Sequence, residues 1–161
     1  MVLATSSPYV GEDSRKIKSL SDEDIDGLLT GKGMGFAKAA ELNHYPGPRH
    51  VLDLANELQL SNHQISATNE IFEKMRQDAI RLGKDLIGHE NKLDELFSSQ
   101  KVSEESLEDV LLKIGEAQAR LRGVHLSAHL EMKQLLSQHQ IMMYDQLRGY
   151  SNGTGNHSHT H

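Results

Sequence analysis

Apolar residues recur at alternating steps of three and four over two long stretches of this chain, and that repeat leaves the fold little freedom. Ile65, Thr68, Phe72, Met75, Ala79, Leu82, Leu86, His89, Leu93 and Leu96 form one stripe. After an interruption at Ser98-Ser99-Gln100, Leu107, Leu111, Ile114, Gln118, Leu121, His125, Ala128, Met132 and Leu135 form a second. This spacing gathers each set on one face of an α-helix and does not fit the two-residue period of a strand. Only 37% of residues are hydrophobic and 4% aromatic, too little to fill a sandwich or a doubly wound sheet. The expected fold class is all-α with no β-sheet: a long antiparallel helical hairpin, its arms about 61–98 and 103–136, with short flanking helices. Each arm would be roughly 50 Å long. One register sets Leu93 opposite Leu107, Leu86 opposite Ile114, Ala79 opposite Leu121, Phe72 opposite Ala128 and His89 opposite Leu111.

Serines mark the helix starts. Ser21 precedes Asp24 at capping distance, Ser103 precedes Ser106, and Ser61 and Ser137 open the long arm and a last helix carrying Ile141, Tyr144 and Leu147. Pro48 suits the first turn of a helix through Val51, Leu52, Ala55 and Leu58. Residues 1–19 are polar and aperiodic and read as a flexible lead-in. Residues 20–150 form the single helical domain, and 151–161 a disordered tail with His157, His159 and His161. Gly31-Lys32-Gly33-Met34-Gly35 follows no strand and lacks the spacing of a nucleotide-binding loop.

Charge and composition exclude several functions. With 17 Lys+Arg against 23 Asp+Glu the net charge is −6, the wrong sign for a nucleic-acid binder. Zero Cys removes disulfides and thiolate sites. No apolar run is long enough to span a membrane. HExxH is absent, no Ser-His-Asp arrangement can be located, and the carboxylates read as solvated helix faces, so no enzyme is expected.

Two features carry chemistry. A second apolar line (Ile71, Ile80, Ile87, Leu112, Leu126, Leu130) lies off the main stripes. It requires cover from the short helices, a second copy of the chain or a client. The other is His125-Leu126-Ser127-Ala128-His129-Leu130-Glu131-Met132. Positions four apart on a helix are separated by about 40°, so His125 and His129 share a face, and Met132 follows on it. Imidazole and thioether suit zinc, copper, nickel or cobalt; no organic cofactor is indicated. Met75 on the facing arm, and His44 and His50 around the Tyr-Pro-Gly-Pro turn, are secondary candidates, with His89 a weaker one. The same positions also suit a packed seam, with His125 and Met132 inside and His129 solvated. His63 and His139 read as solvent-facing.

Leu60-Ser61-Asn62-His63-Gln64 and Leu136-Ser137-Gln138-His139-Gln140 are two copies of L-S-x-x-Q, one at the outer end of each arm. Paired motifs of this kind, with Leu60, Ser61, Gln64, Leu136, Ser137 and Gln140 as their fixed positions, resemble the LTxxQ motifs of the Spy/CpxP family of periplasmic stress proteins, which has heavy-metal-resistance and metal-sensor relatives. Both copies carry Ser where that family has Thr. The resemblance implies a bent four-helix protomer and a homodimer. It also implies ATP-independent holding of unfolded clients or a signalling partner, transition-metal binding on the long helices, and a periplasmic location. Met1-Val2-Leu3-Ala4-Thr5 has no signal-peptide character, so that location rests on the resemblance.

Overall fold

A computed structural model describes residues 4–150. Those residues are helical without strands: α1 spans Asp22–Thr30, α2 Lys38–Glu41, α3 Pro48–Asp53, α4 Asn62–Ser98, α5 Glu104–Leu135 and α6 Gln138–Arg148. A single 3-10 turn, Glu12–Ser14, precedes them. The histidine-bearing tail lies outside the described residues. No helix among them is long and apolar enough to cross a membrane.

The four serines do what their spacing predicts. Ser21, Ser61, Ser103 and Ser137 each accept the backbone N–H three residues on, and Asp24, Gln64, Ser106 and Gln140 reach back to the cap's own N–H. Each reciprocal box satisfies two donors that a bare helix start leaves open. Helix α3 is shorter than its apolar spacing suggests: it stops at Asp53, and the chain reaches Ser61 through turns that include Gln59 at φ 51.

The two long helices are joined by residues 99–103 and pack on one another, with the start of α4 reaching the end of α5 where Gln64 Nε2 donates to the Leu135 carbonyl (3.2 Å). One apolar cluster unites Leu28, Ala79, Leu82, Leu86, Val110, Ile114, Ala117 and Leu121. A second unites Val51, Leu58, Met132, Leu136 and Tyr144. The α5 stripe differs from its sequence reading at two steps. Leu111, placed against His89 by the register, is 47% exposed, and Val110 is buried instead; likewise Ala117 replaces Gln118. The reason is angular: a residue four before a seam position is about 40° off it, whereas one three before is about 60° off.

The off-stripe apolar line is only partly covered. Ile71 packs on the second cluster and Ile87 on the first, Ile80 lies beside Gly31 at the end of α1, and Leu126 is half-buried. Leu112 and Leu130 stay 68% and 54% exposed. Helix α1 sits so close to α4 that a Cβ at Gly83 would lie 2.4 Å from the Leu28 carbonyl oxygen, which requires glycine there. The lead-in, expected to be flexible, is tied down at its end. Ile17 is buried, the Lys18 N–H donates to Asp94 Oδ2 (2.8 Å), and Ser19 Oγ donates to Glu90 Oε2 (2.7 Å).

The two L-S-x-x-Q segments meet. Gln64 Nε2 donates to Gln140 Oε1 (2.8 Å) and Gln140 Nε2 returns a bond to Gln64 Oε1 (2.9 Å). The remaining amide proton of Gln140 goes to the Leu58 carbonyl (3.2 Å), as that of Gln64 goes to Leu135. Each Oε1 also accepts its own cap serine N–H, from Ser61 (3.0 Å) and Ser137 (2.9 Å). Both amides are thus fully used. Replacing one by Leu strands the other, at a cost of about 2 kcal/mol. Urea unfolding of Gln64→Leu, Gln140→Leu and the double variant should therefore give a double loss well below the sum of the singles; strict additivity would show that the pair is not coupled.

Candidate functional site

The site is assembled where the chain between α2 and α3 passes under the end of α5. Asn43-His44-Tyr45-Pro46-Gly47 follows the one-turn helix α2, and Pro46, Gly47 and Pro48 are buried. The Lys133 ammonium sits 3.8 Å over the Tyr45 ring, which holds the loop to α5. A Cβ on Gly47 would come within 2.9 Å of His129 Cε1, so only glycine permits this approach.

That approach fixes His129. Its Nδ1 lies 2.7 Å from the Tyr45 carbonyl oxygen. A carbonyl only accepts, so Nδ1 carries the hydrogen and Nε2 of the neutral ring keeps its lone pair. Glu41 Oε2 stands 3.6 Å from the same Nδ1. One turn earlier, His125 is 3% exposed and stacks on Phe36 at 5.6 Å between centroids. Its buried Nε2 has no hydrogen-bond partner among the described residues. Burial, reinforced by neighbouring His129, pushes the His125 pKa below the ordinary histidine value, so the ring stays neutral at neutral pH. Burial followed by the nearby Arg148 guanidinium lowers that of His50 as well.

Both imidazoles line a cavity of about 490 Å³, with Phe72 and Met75 from α4, His50 from α3, and Glu41. Glu41 is the hub of its polar wall. Tyr144 O–H and Tyr150 O–H donate to Glu41 Oε1 at 2.6 and 2.8 Å, and Arg148 Nε lies 3.7 Å from the same oxygen. The Gly47 N–H donates to the Tyr144 oxygen (3.4 Å). Tyr144 is fully buried, and burial together with its bond to Glu41 drives its phenol pKa far up, leaving it a permanent donor.

The remaining sequence candidates scatter. Met132 is 0% exposed in the second apolar cluster and does not line the cavity: one turn beyond His129, α5 is already roofed by Val51 and Tyr144. His44 turns outward, its Nδ1 2.6 Å from Asp145 Oδ2. His89 stands more than three turns along α4 from Met75, in a shallow recess with Asp85 and Lys113. His50 and Met75 do join His125 and His129. Sequence reasoning missed Glu41, Phe36 and Arg148. Tyr144 carried a signal, as an aromatic in the α6 stripe, but Glu41 carried none. Among the described residues no set of three or more His, Cys, Asp or Glu side chains converges as a ready-made metal cage. Comparison of the chain with protein-family models, with curated proteins and with solved structures finds no match to any of them.

Two outcomes follow from this geometry. Folded His125 stays neutral while the unfolded chain takes up a proton near pH 6.5. Its contribution is therefore complete above that pH and is lost as pH falls toward the lowered folded-state value. The melting temperature should drop between pH 7.5 and 5.5 by a few degrees more in the natural protein than in His125→Phe. Gly47→Ala suits the backbone there (φ −91) but not the space, and should destabilise by about 1–3 kcal/mol in thermal unfolding. An unchanged melting temperature would mean that His129 is free to move aside.

Proposed function

We propose that this chain is a non-enzymatic, extracytoplasmic stress or heavy-metal-response protein, similar to the Spy/CpxP family, that binds a transition metal ion through His125 and His129. The observation that carries this reading is the state of the two rings. One is held in a single tautomer by the Tyr45 carbonyl, as second-shell acceptors hold metal-ligating histidines. The other has a buried Nε2 with no hydrogen-bond partner among the described residues. The lowered His125 pKa supports it further, because only the neutral ring is a ligand.

Two imidazoles would leave an ion to be completed by the Met75 thioether, His50 or water, a donor set that suits zinc, copper, nickel or cobalt. Completed by His50 the ion would tie α5 to α3, and completed by Met75 it would tie α5 to α4, so loading should stabilise the fold. In the same reading, α4 and α5 are the arms of an antiparallel hairpin within a bent four-helix protomer that pairs with a second copy in the periplasm. The exposed Leu112 and Leu130 favour a second role, holding unfolded clients without ATP. The alternative is metal sensing or resistance alone, without client binding.

The test uses full-length chain carrying His157→Ala, His159→Ala and His161→Ala, dialysed against each metal and analysed by mass spectrometry. About one ion per chain is expected, lost in His125→Ala and in His129→Ala, with the melting temperature rising on loading. Protein that stays empty in zinc, copper, nickel and cobalt would overturn the metal reading. Suppression of client aggregation that survives His125→Ala would separate the holding role from it.

A further inference from the structure

The cavity that holds His125 and His129 has an electrostatic character those two residues do not explain. Five cationic side chains line it, Lys32, Lys38, Arg49, Arg76 and Arg148, against the two carboxylates of Glu41 and Asp53. The chain as a whole has a net charge of −6, so the cavity reverses the sign of its own protein. A lining of one sign with low-dielectric walls raises the local concentration of ligands of the other sign.

Three of the cations are already engaged: Lys32 with Asp26 (2.8 Å), Arg76 with Glu73 (3.8 Å) and Arg148 with Glu41 (3.7 Å). Lys38 and Arg49 have no ion pair among the described residues, and both are exposed at the rim. The lining also includes apolar side chains, Phe72 and Met75 from α4, both partly buried, and the exposed Met34 of the glycine-rich turn. His125 and His129 are among the other residues that line the same space. Concave, partly apolar sites of a few hundred Å³ with a small number of placed polar groups are where drug-sized molecules bind.

We propose that this cavity binds a free amphipathic organic anion, its carboxylate, sulfonate or phosphate group held by Lys38 and Arg49 and its aromatic or branched apolar body laid against Phe72 and Met75. The proposal goes beyond the metal reading and does not rest on it. The anion's charge is held by two residues that play no part in holding an ion, and the experiment is run on metal-free protein.

Full-length protein dialysed against EDTA is titrated with 8-anilinonaphthalene-1-sulfonate and, separately, with N-phenyl-1-naphthylamine, the same ring system without the sulfonate. Fluorescence should report saturable binding of the sulfonate at one site per chain, and weaker binding of the neutral compound. In the Lys38→Glu/Arg49→Glu variant the sulfonate should weaken by about tenfold or more, a loss of roughly 1.4 kcal/mol, while the neutral compound changes little. Both positions are exposed, and circular dichroism checks that the variant is folded. Lys113→Glu, in the recess beside His89 and outside the cavity lining, should leave both titrations unchanged. The proposal is overturned if the sulfonate does not saturate, or if the cavity variant binds it as the natural protein does. It is equally overturned if Lys113→Glu weakens it as much, which would mean diffuse attraction, or if the neutral compound binds as tightly, which would mean capture by apolar surface alone.

Discussion

Two glutamine side chains hold this protein's outer end together, and the site depends on them. Gln64 and Gln140 each complete the cap of their own helix and then bond to one another, with their last protons on the Leu135 and Leu58 carbonyls. The start of α4, the end of α5, the start of α6 and the turn before Ser61 are thereby fixed in one polar junction. Water cannot replace such a junction cheaply, because each amide would have to find four new partners in a half-buried place. The second apolar cluster, Val51, Leu58, Met132, Leu136 and Tyr144, shares these elements with it. The direction in which α6 leaves Ser137 decides where Tyr144 and Arg148 arrive, and they arrive at Glu41.

Glu41 shows how a thin helical protein accommodates charge inside. A carboxylate this poorly exposed needs donors, and its Oε1 has two phenols and a guanidinium beside them, while Oε2, 3.6 Å from His129 Nδ1, is buried without a hydrogen-bond partner among the described residues. The one-turn helix α2 has no cap and no core of its own. Its carboxylate is what fastens it to α6, and the loop that follows can then lie against α5. The result is that Tyr45 presents its carbonyl to His129, and Gly47 leaves just enough room for the ring. The tautomer of one histidine thus follows from contacts made by helices at either end of the chain.

Much of this was legible in the sequence, and the failures have physical causes. The helices announce themselves through the three-four repeat and through serine caps, because both signals are local. The two L-S-x-x-Q segments were visible as a repeat, yet their mutual bond was not, since it joins residues that are distant in the chain. The α5 stripe was misread at Leu111 and Gln118 because, three residues before Ile114 and Leu121, they stand farther off the buried face than Val110 and Ala117, which are four before. His125 and His129 were found because a spacing of four on a helix is a local fact. Met132 was grouped with them on the same ground, and the roof of Val51 and Tyr144 that takes it into the core is tertiary. Glu41 and Arg148 lie in segments whose placement is decided by packing alone, and nothing in their neighbours' spacing marks them.

The central claim is that His125 and His129 act together through their Nε2 atoms. It is tested most directly by long-range ¹H–¹⁵N correlation of the imidazole nitrogens while zinc is added to ¹⁵N-labelled protein. The account predicts that Nε2 of both rings changes together and saturates at one equivalent, while Nδ1 of His129 keeps its hydrogen on the Tyr45 carbonyl. Zinc uptake confined to other histidines, with the signals of His125 and His129 unmoved, would contradict it.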